Sequence, residues 1–242
     1  MAKNGKDIAK KQDTSMARPL GRGHEEKSEQ EDLEIPRCKL VQSTSDEATT
    51  EIKEQKVEVG KIINSITKGK LPTDFIPILK FTNWIRWNPR KKDDQNFDPA
   101  FDPGALIWNS SDPNDPRVVQ NKDFGPNGEP PIATKYLNFL SYFPGHNMPV
   151  IISFAKTSLK AGRRLNTLSR FSGGDMFSSK YRLTSKQREA NGTKFYVLEV
   201  SQAGKPKQDE FKIAENWYGN FKDRAIKVHQ EAPEEEVVDP IE

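Results

Sequence analysis

Apolar residues are unevenly placed along the chain, and their spacing divides it into segments. Residues 1–35 alternate small polar and charged side chains, with Ile8, Leu20 and Leu33 standing alone. Such a segment cannot bury enough apolar surface to offset its ordering entropy, so a disordered arm is predicted. Order is predicted to begin with the short run IPRCKLVQ at 35–42, read as a strand. EIKEQKVEVGKIINSITKGKLP at 51–72 is punctuated by Gly60, Asn64 and Gly69, and fits strand and turn better than one long helix.

FIPILKFTNWIRW at 75–87 is the clearest strand. Side chains alternate between the two faces of a strand, so parity assigns them. The odd positions Leu79, Phe81, Ile85 and Trp87 read as a core face, broken by Asn83. The even positions Lys80, Thr82, Trp84 and Arg86 read as an open face that sets a tryptophan between basic residues. Residues 88–133 are rich in Asp-Pro and Pro-Gly pairs and read as long loops, interrupted by a short strand, ALIW, at 105–108. KYLNFLSYF at 135–143 and MPVIISFA at 148–155 are predicted strands joined by a PGHN turn.

Helical spacing appears within TSLKAGRRLNTLSRFSGG, 157–174, with Thr157 or Ser158 as the starting cap and Gly173-Gly174 as the stop. At 100° per residue Ala161, Leu165 and Leu168 share one side, while Lys160, Arg163, Arg164 and Arg170 share the other. MFSSKYRLTSK at 176–186 alternates again and is predicted to form a hairpin with KFYVLEV at 194–200, turning at Asn191-Gly192. A final helix is predicted within 208–227. The pattern as a whole predicts a mostly β, α+β body with one amphipathic helix between strands.

Charge sharpens that picture. The chain is 242 residues long, 33% hydrophobic and 30% charged, with a mean hydropathy of −0.83, which leaves part of it outside any core. Its net charge of +3 hides an asymmetry: residues 36–224 carry 30 Lys and Arg against 21 Asp and Glu, whereas 225–242 carry one against six. Within 156–194 there are ten basic residues and two acids, Asp175 and Glu189. A solvated surface normally mixes both signs; neutralisation of phosphates accounts directly for one sign alone. Rings interleaved with these cations, Trp84 and Tyr196, with Trp108 a further one, would stack unpaired bases. Single strands are therefore favoured over duplex. The acidic end, EAPEEEVVDPIE, is either a solubilising tail, a nucleic-acid mimic for the basic face, or a recruitment peptide.

Catalytic signals are weak. His24, His146 and His229 pair with no serine or carboxylate at informative spacing. Asp93, Asp94, Asp98 and Asp102 would suit a two-metal nuclease, but their FDPAFDPG context is that of turns. FSGGD at 171–175 and GPNG at 125–128 lack the lysine and spacing of a phosphate-binding loop. One cysteine, Cys38, excludes an internal disulfide framework and a cysteine-rich zinc site. MAKNGKDIAKKQDTS has no apolar core of a secretory signal, and no run of about 18 apolar residues is present to span a membrane. A cytoplasmic protein without cofactor or enzymatic activity is expected.

The succession PRCKLVQ, FIPILKFTNWIRWNPR, PPIATKYLNFL, SFAKTSLKAGRRLNTL and GTKFYVLEV resembles a group of tailed-phage replication-region proteins described as single-stranded DNA-binding, over about residues 36–200. That resemblance implies an OB-like β-barrel with a helix between barrel strands, acting in an infected host cell. Relatives with cysteines in the long loop could hold zinc; residues 88–133 contain none, so no metal is carried over. Acidic tails of such proteins often end in an aromatic residue, whereas this chain ends Ile241-Glu242.

Three segments are therefore expected: an arm at 1–35, an OB-like nucleic-acid-binding domain at 36–225, and an acidic tail at 226–242. The expected function is sequence-nonspecific binding and protection of single-stranded DNA during phage replication or recombination, with the tail controlling access and recruiting replication or recombination proteins. The expected contacts are Lys80, Trp84, Arg86, Arg90, Lys91, Lys92, Lys156, Lys160, Arg163, Arg164, Arg170, Lys180, Arg182, Lys186 and Tyr196. A structural virion or nucleoprotein component, meeting duplex DNA or an acidic partner, is the alternative.

Overall fold

The computed structural model describes residues 34–190, 192–223 and 226. Its elements are β1 (Cys38–Leu40), α1 (Asp46–Thr49), β2 (Ile62–Asn64), β3 (Asp74–Trp87), β4 (Leu106–Ser110), α2 (Pro116–Asn121), β5 (Ala133–Tyr142), β6 (Val150–Phe154), α3 (Leu159–Phe171), β7 (Lys180–Ala190), β8 (Thr193–Gly204) and α4 (Gln208–Phe221). The expected arm and acidic tail lie outside the described residues, apart from Glu34, Ile35 and Ile226. Ile35 and Ile226 both pack against the protein's second core cluster.

The mostly β, α+β class read from the pattern is the one observed. A six-stranded antiparallel sheet runs β6-β5-β3-β7-β8, with β4 also paired to β3, and β1 and β2 form a separate two-stranded sheet. A helix, α3, stands between β6 and β7 as expected. The expected barrel is not closed by hydrogen bonds: no ladder joins β6 to β8 among the described residues. Near that opening Arg37 bridges Ile151 of β6, and Cys38 and Leu40 pack on the main core.

β3 owes its length to having something to bury on both faces. One face carries the main core, where Phe75, Leu137, Phe139, Ile152 and Phe154 meet Ala161 and Leu165 of α3. The other carries Ile76, Ile78, Leu140, Tyr142 and Ile151, covered by Ala214 and Trp217 of α4. α3 lies very close to β6: a Cβ on Gly162 would stand 2.7 Å from the Phe154 Cβ, so only glycine permits this approach. Two left-handed glycines, Gly173 (φ 69°) and Gly174 (φ 81°), then turn the chain out of the helix.

A β-bulge decides which side chains of β3 face which way. Pro77 pairs with Ser141 and Leu79 with Leu140, so Ile78 is an extra residue on β3. Parity inverts there. Ile76 before the bulge and Leu79 and Phe81 after it share the α4 side, while Lys80, Thr82, Trp84 and Arg86 lie opposite Phe139, Leu137, Lys135 and Ala133 on the α3 side.

On the α4 side four polar side chains link four strands. Asn83 donates to Asn109 (2.8 Å), Asn138 to Asn83 (2.6 Å) and Ser153 to Asn138 (2.7 Å). Asn138 is fully buried, so its partners satisfy a group that water cannot reach.

The small β1–β2 layer has its own apolar cluster, Val41, Ala48 and Ile63, and its own buried charge. Glu47 takes ion pairs from Lys39 (2.9 Å) and Lys68 (2.8 Å). Burial alone would raise its pKa, but the hydrogen bonds from Lys68 and Lys39 outweigh burial and hold the carboxyl at about 2. A depressed carboxylate stabilises the fold above its unfolded pKa and loses that stabilisation as pH falls through the folded value. Protection of the Val41 and Ile63 amides, taken relative to their intrinsic exchange rates, should therefore fall as the pH drops from 4.5 toward 2. Glu47→Gln should lower that protection at neutral pH and abolish its acid dependence; unchanged protection in the variant would refute the assignment.

Candidate nucleic-acid interface

α3 is helical because its apolar positions recur on one side and seat in the main core, leaving the other side to solvent. Lys160, Arg163, Arg164 and Arg170 are all exposed there, and none has an ion-pair partner among the described residues. The helix starts without a side-chain cap, after a short 3-10 turn at Lys156–Ser158. The Ser158 hydroxyl, one of the two expected caps, instead accepts a 3.4 Å hydrogen bond from Leu198 N–H.

The sheet beneath α3 extends the positive surface. Lys80 donates to the Asn166 side chain at 3.1 Å, tying β3 to the helix. Burial pushes the Lys80 pKa down, and the positive charges of Arg170 and Lys135 push it down further. Arg170 and Lys135 thus each repel the Lys80 ammonium, an arrangement that an anion would relieve. Because of the bulge, Trp84 and Arg86 share this side of the sheet with α3.

Trp84 is nevertheless not an open ring, which corrects the expectation. It is only 8% exposed, packed with Trp108, Val118 and Ala133, and Lys135 lies over it at 5.5 Å from the ring centroid. α2, unforeseen in the loop region, supplies Val118 to this cluster. Trp108 is likewise covered, with Arg117 at 5.5 Å from its ring. Tyr196 is half-buried and its ring lies so close to Gly60 that a Cβ there would stand 2.5 Å from Cε1. Neither tryptophan offers a free face of the kind an unpaired base needs, and the Tyr196 ring is partly covered. Trp87, expected in the core, is half-buried, with its indole N–H on the Tyr136 hydroxyl at 3.1 Å.

The remaining expected contacts divide. Arg182 forms a forked pair with Asp74 (2.8 and 3.4 Å) and holds that carboxyl below the usual range. Lys180 reaches Glu210 at 3.3 Å, and Glu210 also accepts from Lys207 N–H to start α4. Lys186 stands 3.7 Å from Glu199. These three are committed to holding strands and helix together, so their charge is partly spent. Lys156 is exposed at the entrance to α3. Arg90, Lys91 and Lys92 are exposed on the loop after β3. That loop is organised by buried Asn88, whose amide donates to the carbonyls of Asp98, Phe101 and Asp102. Asp94 and Asp98 accept from Asn96 and Ala100 N–H as turn caps.

The family model described as Pam3 phage gp34-like protein matches residues 3–227. The chain belongs to the Pam3 phage gp34-like family. No curated protein and no solved structure matches it. The phage origin expected from the sequence therefore stands for this family member, and among its described residues no helix is long and apolar enough to cross a membrane.

Two residues absent from the sequence-based set belong to the surface of this gp34-like chain. Lys135 joins Lys80 and Arg170. Phe171 ends α3 and is 87% exposed, beside Arg170 on the cationic helix. An apolar residue just before a glycine stop gives no sign of its exposure in the sequence; helical phase, which sets it 100° from Arg170, is the only available signal.

Proposed function

We propose that this phage protein binds single-stranded DNA without sequence preference, with α3 as the phosphate-binding element. The observation that carries the reading is the cationic face of α3, unpaired among the described residues and continued by Lys80 and Lys135 on the sheet. Four exposed cations on one helix face are poised for phosphates, and Phe171 among them is a ring that one base can stack on. The acidic tail would compete for the same surface and recruit replication or recombination proteins, and no chemical step is assigned.

A second reading draws on the burial of Trp84 and Trp108. A surface rich in charge but poor in open rings also suits the backbone of a duplex, as in a structural nucleoprotein component. Titration of fluorescent oligo(dT), with unlabelled duplex as competitor at two salt concentrations, separates the two. Preference for oligo(dT), with affinity falling steeply as salt rises, supports the first reading. Equal or tighter duplex binding replaces it with the second, and salt-independent or absent binding removes both.

A further inference from the structure

Over its middle, β3 lacks a strand partner on one edge among the described residues. Its ladder with β7 covers Asp74 and Phe75, and its ladder with β4 begins at Trp84, so the intervening residues have β5 on one side only. A cavity of about 600 Å³ opens along that edge. Its lining includes every residue from Ile78 to Thr82, and five consecutive strand residues can share one cavity only where it follows the strand's edge. The volume falls within the roughly 300–1,000 Å³ of small-ligand sites.

The two sides of this opening differ in chemistry. From the α3 side come Lys80, Asn166 and Arg170; from the α4 side come Phe81, Phe177 and Tyr218. We propose that the cavity holds one nucleotide unit of a bound strand, its phosphate on Lys80 and Arg170 and its base against Phe81 and Tyr218. This rests on the single-strand reading and adds to it a specific subsite away from Trp84.

Lys80 has no ion-pair partner among the described residues, its ammonium is held by Asn166 at 3.1 Å, and Arg170 lines the same cavity. A phosphate between the two cations would offset their repulsion. Opposite them Phe177 and Tyr218 stand with ring centroids 5.5 Å apart, and Tyr218 remains 39% exposed. Between the two walls runs main chain whose outward N–H and C=O groups have no neighbouring strand, and such groups can bond any base edge. Asp175 is the one acid in the lining; its carboxylate suits a base N–H and disfavours a phosphate placed beside it.

The test is titration of the full chain with 5′-dTMP, in parallel with inorganic phosphate and oligo(dT). Binding of 5′-dTMP should exceed that of inorganic phosphate. Lys80→Met and Tyr218→Ala should each weaken it roughly tenfold, the scale of one lost base stack or phosphate contact. Lys53→Met, at an exposed cation outside both the cavity and the α3 face, should leave 5′-dTMP binding unchanged. Tyr218 is exposed enough that its loss leaves the core intact, and the near-ultraviolet spectrum checks this. Absence of 5′-dTMP binding, affinity in the two cavity variants equal to that of the unaltered chain, or equal affinity for inorganic phosphate overturns the subsite. If oligo(dT) binds while the cavity variants change nothing, the subsite falls and the strand reading stands. If oligo(dT) fails while 5′-dTMP binding is lost in both variants, the strand reading falls and the cavity is a free-nucleotide site.

Discussion

Reversing Arg163 and Arg164 to glutamate should abolish most of the binding of oligo(dT) without loosening the protein. Both side chains are exposed on α3, and neither has an acidic partner among the described residues. A hydrogen bond to a charged group is worth about 1.5–3 kcal/mol, and screening at an exposed site reduces that. Two lost contacts together with two introduced repulsions give an affinity loss of about 100-fold or more at low salt. The salt dependence should change as well: two fewer neutralised phosphates lower the slope of log K against log salt by about 1.4 for a single strand. Thermal stability should be unchanged or higher, since crowded positive charge is removed. Unaltered affinity in a folded double variant would show that α3 is not the phosphate-binding element.

The second large effect is on stability. Trp84→Ala should cost about 3–5 kcal/mol, the usual range for removing a buried aromatic. For a body of this size that corresponds to a fall in melting temperature of about 10 °C or more. The ring joins β3 to β4 and α2 through Trp108 and Val118, so the loss should be felt first in the loop region around α2. Binding of oligo(dT) should decline only in proportion to the unfolded fraction. A Trp84→Ala protein with full stability and impaired binding would instead make the ring a direct contact, against its observed burial.

The strands on either side of the PGHN turn, the span of α3 and its cationic face, and the β7–β8 hairpin were legible because each obeys a local period. Alternation also sorted β3 correctly from Leu79 to Trp87, but not which face is open: the even face turns to the α3 side, where Trp84 is buried. The extra residue Ile78 was not legible, because its presence depends on how β5 pairs. α2 was hidden because Asp115-Pro116 reads as a turn, although the same pair is a helix cap followed by proline in the first turn. The committed charges were invisible for another reason. Asp74 lies 108 residues from Arg182, and Glu210 lies 30 from Lys180, so a run that looks uniformly basic in sequence is partly neutralised by distant acids. The neighbours that matter for Lys80, namely Asn166, Arg170 and Lys135, are likewise far along the chain.

The amide chain from Asn109 through Asn83 and Asn138 to Ser153 has a consequence for assembly of the sheet. Apolar pairs between β3, β5 and β6 are interchangeable to a first approximation, so hydrophobic contact alone would allow strands to settle in shifted alignments. A shift of one residue would move Asn138 to the opposite face and away from both Asn83 and Ser153. Leaving a buried amide unsatisfied costs about 1–3 kcal/mol for each group, a penalty that mispaired strands incur and the native pairing avoids. The four side chains thus act as a fidelity check on strand pairing. They favour one alignment in a protein whose central strand, with its bulge and open edge, would otherwise have several to choose from.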